Sequence, residues 1–400
     1  MLAPEFPPVW GGVGTYTVEL IRNLPKNIEV HVVTPMRLGF SRENLAQVDD
    51  EFSQLLDKNI RVHFVSKATD TFLYNASFQY ACLRTVPKLI KQENIDLLHS
   101  HAAHMPDLLL KTIEKNTPTV TTVHTTIQGQ REGTKASNAS FEELEFSEKM
   151  TLLTYPLLRF IDDFYFSRGS FYITPSTWMK ATLLKGHPNL NKNVFVVPHG
   201  IDTNHYRPIF ERECNDKNII LFVGRLVALK GVFNLIHALP IILKAHPNTL
   251  VLFVGPGEKE PYLKELTRCG VPSSSYQFLG HSDKKSLVYY YNISDIYVLP
   301  SVSESFSLTL LEAMSCGVPA VVSNVGGPSE IIKDHLNGLL VEPGQVKALA
   351  DAIIFLLDNN KIRRGIGCAA RKTIEEQFSW RMAAIRTALI YNYTLKKANA

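Results

Sequence analysis

The chain has 400 residues, 45% of them hydrophobic and 20% charged, with a formal net charge of +4; at about 150 residues per domain this length predicts two domains. No apolar run approaches the roughly 18 residues that span a bilayer, which excludes an integral helical membrane protein, and no cluster of Lys and Arg interleaved with aromatics marks a nucleic-acid groove, which excludes that partner. A charge excess this small is ordinarily without consequence, and where it acts it favours an anionic donor or a lipid surface.

The opening MLAPEFPP leaves almost no room for a first strand before the Gly-rich turn that follows, so that strand is expected to be clipped or to begin upstream. Short β-branched runs then alternate with helical patterns: EVHVVTP at 29–35, NIRVHFV at 59–65, IDLLHSH at 95–101 and TVTTVH at 119–124. This alternation predicts a parallel sheet with crossover helices. From Phe141 to about Gly169 the chain is acidic at first and then reads LLTYPLLRFIDDFYF, which predicts a long helix with one broad apolar face and its aromatics in a core. After PHGIDTNHYRP the rhythm restarts, with NIILFVG at 218–224, TLVLFVG at 249–255, YQFLG at 276–280 and DIYVLP at 295–300. The fold class is therefore α/β, with two doubly wound domains joined near residues 203–216. Two helical stretches, ALADAIIFLLDNN and EEQFSWRMAAIRTALIYNY, close the chain, with Trp380 as a packing residue.

The five cysteines, Cys82, Cys214, Cys269, Cys316 and Cys368, are scattered and form no CxxC, so neither a disulfide scaffold nor a zinc ribbon is indicated and a reducing cytosol fits best. The Asn-x-Ser/Thr triplets at Asn75, Asn138, Asn292 and Asn392 read as chance, since Asn292 lies in a helix-like segment and no signal peptide precedes them.

In open parallel sheets ligands collect at the carboxyl ends of the strands, so the residues just after each strand are where chemistry is sought. Gly11, Gly12, Val13 and Gly14 open the helical run VELIRNL, and glycines there let backbone N–H groups approach a phosphate or sugar. A bare tight turn accounts for this segment equally well. Gly224 to Gly231, GRLVALKG, follows the strand NIILFV and places two cations, Arg225 and Lys230, in one strand-to-helix loop, as binding a pyrophosphate requires. A solvated pair of surface charges is the plainer reading.

The stretch ESFSLTLLE puts Glu304 in a loop after DIYVLP and Glu312 inside the next helix. Eight residues at ~1.5 Å rise separate them by ~12 Å, wider than the ~5 to 9.5 Å of glycosidase carboxylate pairs. They therefore touch different parts of one long ligand. Ser305, Ser307 and Thr309 can cap the helix or offer donors to a phosphate. His99 and His101 share one face of a strand, and with His104 and His124 they raise the question of a metal; no Asp, Glu or Cys joins them at ligand spacing, and no Asp-x-Asp occurs. His124 ends the strand TVTTVH, a position from which an imidazole can meet a sugar hydroxyl.

The GGVG turn, the GRLVALKG loop and the ESFSLTLLE motif, in that order and followed by AMSCGVPAVVSNVGGPSEII and NGLLVEP, resemble the retaining GT-B glycosyltransferases of family 4 (group 1 glycosyltransferases). The resemblance implies two Rossmann-like domains facing a cleft: an acceptor-side domain over 1–205, a nucleotide-sugar domain over 206–376, and a helix over 377–400 that crosses back near the FSW segment at 378–380. It implies that Arg225 and Lys230 hold the donor diphosphate, that Glu312 binds the ribose, and that Glu304 meets the hexose. Phe306, Ser307, Leu308 and Thr309 would contact sugar and phosphates, with Ser305 beside them. Gly12 and Gly14 would approach the donor, His124 would lie beside the transferred sugar, and Ser282 and Asp283 of LGHSDK would neighbour the base. The family often has glycine where this chain has Ser305 and Ser307, which adds bulk beside the hexose.

The implied reaction is transfer of a hexosyl group from a nucleotide diphosphate sugar to a hydroxyl acceptor, whether glycan, lipid or small metabolite, with no cofactor and no metal. Retention would follow from front-face attack. His124, Glu304, Arg225 and Lys230 would carry catalysis. Residues 66–80 and 125–140 are expected to form the acceptor loops. The expected location is cytoplasmic, peripheral at the inner membrane face if the acceptor is a lipid. Two other readings share the scaffold: a nucleotide-sugar 2-epimerase, and a silent sugar-nucleotide-binding subunit, which would have lost one of Arg225, Lys230 or Glu304.

Overall fold

The computed structural model describes residues 1–6, 11–37, 59–68, 73–102, 117–137, 139–166, 171–209 and 217–398. In chain order the first half has α1 (Gly12–Asn23), β1 (Val30–Arg37), β2 (Ile60–Ala68), α2 (Leu73–Gln92), β3 (Leu98–Ala102), β4 (Thr119–Val123), α3 (Ile127–Ala136), α4 (Phe146–Phe166), β5 (Phe171–Thr174), α5 (Thr177–Gly186) and β6 (Val194–Val196). The second half begins with β7 (Asn218–Val223), α6 (Val232–Ala245), β8 (Thr249–Val254), α7 (Glu260–Arg268), β9 (Tyr276–Gly280), α8 (Lys284–Ile293) and β10 (Ile296–Leu299). It continues with α9 (Leu308–Ser315), β11 (Ala320–Ser323), α10 (Pro328–Ile331), β12 (Leu339–Val341), α11 (Val346–Asp358), α12 (Asn360–Gln377) and α13 (Trp380–Ala398).

Two units are present: Met1–Ile127 with Thr154–His199 and Trp380–Ala400, and Gln128–Leu153 with Gly200–Ser379. The division falls at His199 and Gly200 where the sequence suggests 205 and 206, because Ile201 donates its N–H to the carbonyl of Phe378 at 3.0 Å and so belongs with the second unit. Residues 210–216 of the expected junction lie outside the described residues. Gln128–Leu153 also joins the second unit, held by its acids: Glu148 accepts N–H groups from Ala228 and Leu229 at 3.3 and 3.2 Å.

In the first unit β1 pairs with β2, and β3, β4, β5 and β6 follow one another, all parallel. Near the start of the chain Leu2 bridges β1 at Val33 and β3 at Ser100, its N–H bonding to the carbonyl of His99 at 2.7 Å. The four strands that sequence patterning passes over, β5, β6, β11 and β12, are three or four residues long, too short for a period of two to register.

The second unit's sheet runs β12-β11-β10-β7-β8-β9, all parallel. Strands such as NIILFV are apolar at almost every position because helices cover both faces. Ile220 and Phe222 of β7 pack in one core cluster with Val251, Phe253, Val298 and the helix α6, while Leu221 and Val223 pack in the other with Leu252, Val254, Tyr297 and α9. Each such side chain contributes roughly 1.5–3 kcal/mol on full burial. The strand order reverses direction between β7 and β10, so the chain proceeds to opposite edges of the sheet from these two strands, the arrangement that leaves a crevice at their carboxyl ends.

Two expectations need correction. The stretch 125–140, expected as a loop, is helical over Ile127–Ala136, and residues 69–72 of the other expected acceptor loop lie outside the described residues. The helix expected from Phe141 begins at Phe146, after a turn, and contains Pro156. Its aromatics divide: Tyr165 and Phe166 are core, whereas Phe146, Phe160 and Phe164 are exposed along with Leu153 and Leu157. The helix is apolar over more of its circumference than its packing side covers. Asn292 is buried and carries structure, accepting from Ile209 N–H and donating to the carbonyl of Arg207; Asn138 and Cys214 lie outside the described residues. Cys82, Cys269, Cys316 and Cys368 are free thiols. Among the described residues no helix is long and apolar enough to cross a membrane.

Candidate functional site

The loop Gly224–Gly231 runs from the carboxyl end of β7 to α6, and its path is fixed by close backbone approach. Gly231 has φ +70°, and a Cβ there would stand 1.8 Å from the carbonyl oxygen of Pro300. Val302 N–H bonds to the carbonyl of Leu229 at 3.0 Å, tying the β7 loop to the β10 loop. Glu148, buried at the start of α4, accepts from Ala228 and Leu229 and also from its own helix start at Glu145 N–H, 3.0 Å. Nothing in the acidic stretch around Glu148 marks its contact with a loop some 80 positions away.

The two cations of this loop take different carboxylate partners. Lys230, partly buried, forms an ion pair with Glu304 across the crevice between β7 and β10. Arg225, which is half exposed, pairs with Glu145 at 2.5 Å. An exposed pair of the second kind is worth little to stability, so Glu145 can release Arg225 to another anion at small cost.

After β10, Glu304 offers its carbonyl to Gly327 N–H at 3.1 Å, and a Cβ on Gly327 would fall 2.5 Å from the Cα of Phe306. The GlyGly turn at 326–327 is thus the backing against which residues 304–306 lie. Phe306 is buried and Ser305 half-buried. Ser307 caps α9, its Oγ accepting from Leu310 N–H at 3.2 Å, and Thr309 Oγ1 shares a hydrogen bond with Tyr297 at 2.8 Å. Leu308 begins the helix, and Glu312 sits one turn further in, buried and accepting from the Tyr291 hydroxyl at 2.7 Å. Burial pushes the Glu312 carboxyl above its usual range, against the pull of the Tyr291 and Tyr206 hydroxyls and of Lys284. Ser282 and Asp283 open α8, where Asp283 caps the helix by accepting from Ser286 N–H at 2.7 Å, a bond that holds its carboxyl low.

Ser307 has φ 105° and ψ 98°, a region that favours glycine. A side chain held there costs about 1–3 kcal/mol, while glycine is only a few tenths of a kcal/mol worse than serine as a cap. Ser307→Gly is expected to raise the second unit's stability by about 1 kcal/mol, and Ser307→Ala, which keeps the strain and loses the cap, to lower it by about 1 kcal/mol. Calorimetry of the two variants checks this, and a Ser307→Gly protein melting no higher than the parent would show that the backbone is unstrained.

In the first unit, Gly12 and Gly14 lie inside the first turn of α1, not in a loop ahead of it, and Gly11 is the cap. A Cβ on Gly11 would meet the Glu5 carboxylate at 2.4 Å, whereas one on Gly12 meets nothing within 4 Å. Glu5 also accepts from Gly14 N–H at 3.4 Å, so this helix start already faces a carboxylate.

His124 follows β4, with Nε2 at 3.3 Å from Nδ1 of His101, edge-on to Tyr16 at 4.9 Å and tilted to His199 at 5.7 Å. Burial lowers His99 to about 3 and holds His101 and His199 well below the usual imidazole range, so these three rings are neutral around neutral pH. Both nitrogens of His99 are engaged, one with Tyr391 and one with Thr122, which removes it as a metal ligand; His104 lies outside the described residues. Among the described residues one group of potential metal ligands converges, His237 with Glu265 and Cys269. Arg268 donates to Glu265 at 2.5 and 2.7 Å and, with His237, brings its carboxyl down to about 2, so that carboxylate already has its cation.

Two Rossmann-like α/β units, with the candidate residues after parallel strands, define the GT-B class. Family models divide the chain between them, Glycosyltransferase Family 4 over residues 10–205 and Glycosyl transferases group 1 over residues 209–373. The chain belongs to the group 1 glycosyltransferases of family 4 type. An uncharacterized glycosyltransferase of Methanocaldococcus jannaschii is 38% identical over 183 residues, 46% of this chain and 46% of that protein. A second uncharacterized glycosyltransferase of the same organism is 25% identical over 386 residues, 96% of this chain and 95% of its own. The chain spans about half the length of several curated relatives it matches. Among solved structures, HepE from Anabaena in complex with UDP-glucose superposes with a TM-score of 0.71 at 18% identity, covering 98% of this chain and 99% of that one, a likeness of fold.

Proposed function

We propose that the chain transfers a hexosyl group, with retention of configuration, from a nucleoside diphosphate sugar to a hydroxyl acceptor. The observation that carries this is the crevice of the second unit, where Lys230, Glu304 and the start of α9 meet at the carboxyl ends of β7 and β10 with Glu312 buried one turn behind. In this reading Lys230 and Arg225 take the diphosphate, the N–H groups and hydroxyls from Ser307 to Thr309 assist, Glu312 accepts from the ribose and Glu304 orients the hexose. Ser282 and Asp283 border the base. The reaction needs no metal.

The bond between the anomeric carbon and the leaving phosphate oxygen breaks, and a bond from that carbon to the acceptor oxygen forms on the same face. The acceptor proton passes to the leaving diphosphate. Negative charge grows on the diphosphate as the bond breaks, and fixed cations and amides aimed there stabilise it without reorganising. A diphosphate-release screen with UDP-, GDP- and ADP-sugars identifies the donor, and proton NMR of the product reads the anomer. Retention is expected; an inverted product anomer would refute the mechanism, and epimerised donor formed without any acceptor would replace transfer with isomerisation.

A further inference from the structure

The outer face of α13 (Trp380–Ala398) combines exposed apolar side chains with cations. The helix is anchored to the first unit through Trp380, Ala383, Ala384, Thr387, Ala388, Ile390, Tyr391 and Thr394, all buried. Its other side exposes Met382 at 46%, Ile385 at 39%, Leu389 at 61% and Tyr393 at 42%. At about 100° per residue the four lie within one stripe about 80° wide. Arg381 flanks this stripe on one side and Arg386 and Lys397 on the other, all exposed, with Lys396 at its last turn. Tyr393 extends the apolar surface by packing edge-on to Phe171 and Phe195, at 5.6 and 5.7 Å.

Trp380–Ala398 contains four cations, Arg381, Arg386, Lys396 and Lys397, and no Asp or Glu, so this one helix carries a formal +4, equal to that of the whole chain. An apolar stripe bordered by long cationic side chains fits an interface in which the stripe enters the acyl boundary and the cations reach anionic headgroups. The exposed stripe of α4, by contrast, mixes Asp163 with Arg159 and Lys149 and has no single sign.

We propose that the outer face of α13 docks the protein on an anionic phospholipid bilayer. The partner is the lipid surface itself, and the inference is independent of the transfer reaction, because adsorption requires no turnover.

Co-sedimentation of the full chain with vesicles of phosphatidylcholine alone, or with a third of phosphatidylglycerol, tests it. Binding is expected to the anionic vesicles, weak to the neutral ones, and lost at high salt. Each cation near such a surface raises the partition about fivefold, so Arg386→Gln with Lys397→Gln is expected to lower it about 25-fold with no change in melting temperature. Leu389→Ser with Met382→Ser is expected to weaken binding at low salt too. Failure of the parent to bind anionic vesicles, or equal binding by the charge variant, would overturn the proposal. So would a dimer in light scattering that Leu389→Ser dissociates without any vesicle binding, which would assign the face to a second copy of the chain.

Discussion

Lys230→Ala is expected to lower kcat/KM for diphosphate release by about 10²- to 10³-fold, the cost of removing one group that stabilises charge in a transition state. The effect should fall mainly on kcat, because the phosphate gains its charge as the glycosidic bond breaks. Lys230→Arg is expected to recover only part of the rate, since a planar guanidinium does not place charge where an ammonium does. Glu304 is the internal control. It is 11% exposed and pairs with Lys230, so the alanine variant leaves a half-sheltered carboxylate without its cation. Adding Glu304→Gln should restore part of any lost stability, the coupling expected of residues in contact, while leaving the activity low. Measuring melting temperature and turnover on the same four proteins separates the two roles. Unchanged diphosphate release in Lys230→Ala would remove the phosphate assignment and, with it, the reading of the β7 loop.

The strands with continuous apolar runs, such as β7 and β8, are legible in the sequence because a buried parallel strand has no polar face to interrupt its pattern. The reversal between β7 and β10 follows from their pairing, and it is what places Lys230 against Glu304. What the sequence hides is contact between distant segments. Glu145 and Glu148 lie some 80 positions from the loop they hold, and nothing near them in the chain marks them as partners of Arg225, Ala228 and Leu229. The same holds for Tyr291, whose hydroxyl meets Glu312 from another helix. Ser307 is the opposite case. A serine where the family often has glycine is visible in the sequence, but that it costs backbone strain needs φ.

Glu312→Gln is expected to separate stability from function at one residue. The carboxyl is buried and its folded-state pKa is raised, chiefly by desolvation. The folded chain therefore holds this proton more tightly than the unfolded chain, and the residue costs nothing below the unfolded value of roughly 4.3. As pH rises from there through the raised folded value, ionisation of the unfolded state draws stability away, and the full penalty is present above that value. Glutamine keeps the shape and still accepts from Tyr291 but does not ionise, so Glu312→Gln should melt at or above the parent's temperature at neutral pH, with the gap closing towards pH 4. In binding the sign is reversed. A hydrogen bond between a hydroxyl and a charged acceptor is worth about 1.5–3 kcal/mol, so the donor KM should rise about 10- to 100-fold, with kcat much less changed, if Glu312 holds the ribose as proposed, away from the reacting bond. A variant that melts higher and binds donor less well would identify Glu312 as a buried charge kept for the ligand at the expense of the fold. An unchanged KM would leave Glu312 as a partner of Tyr291 and nothing more.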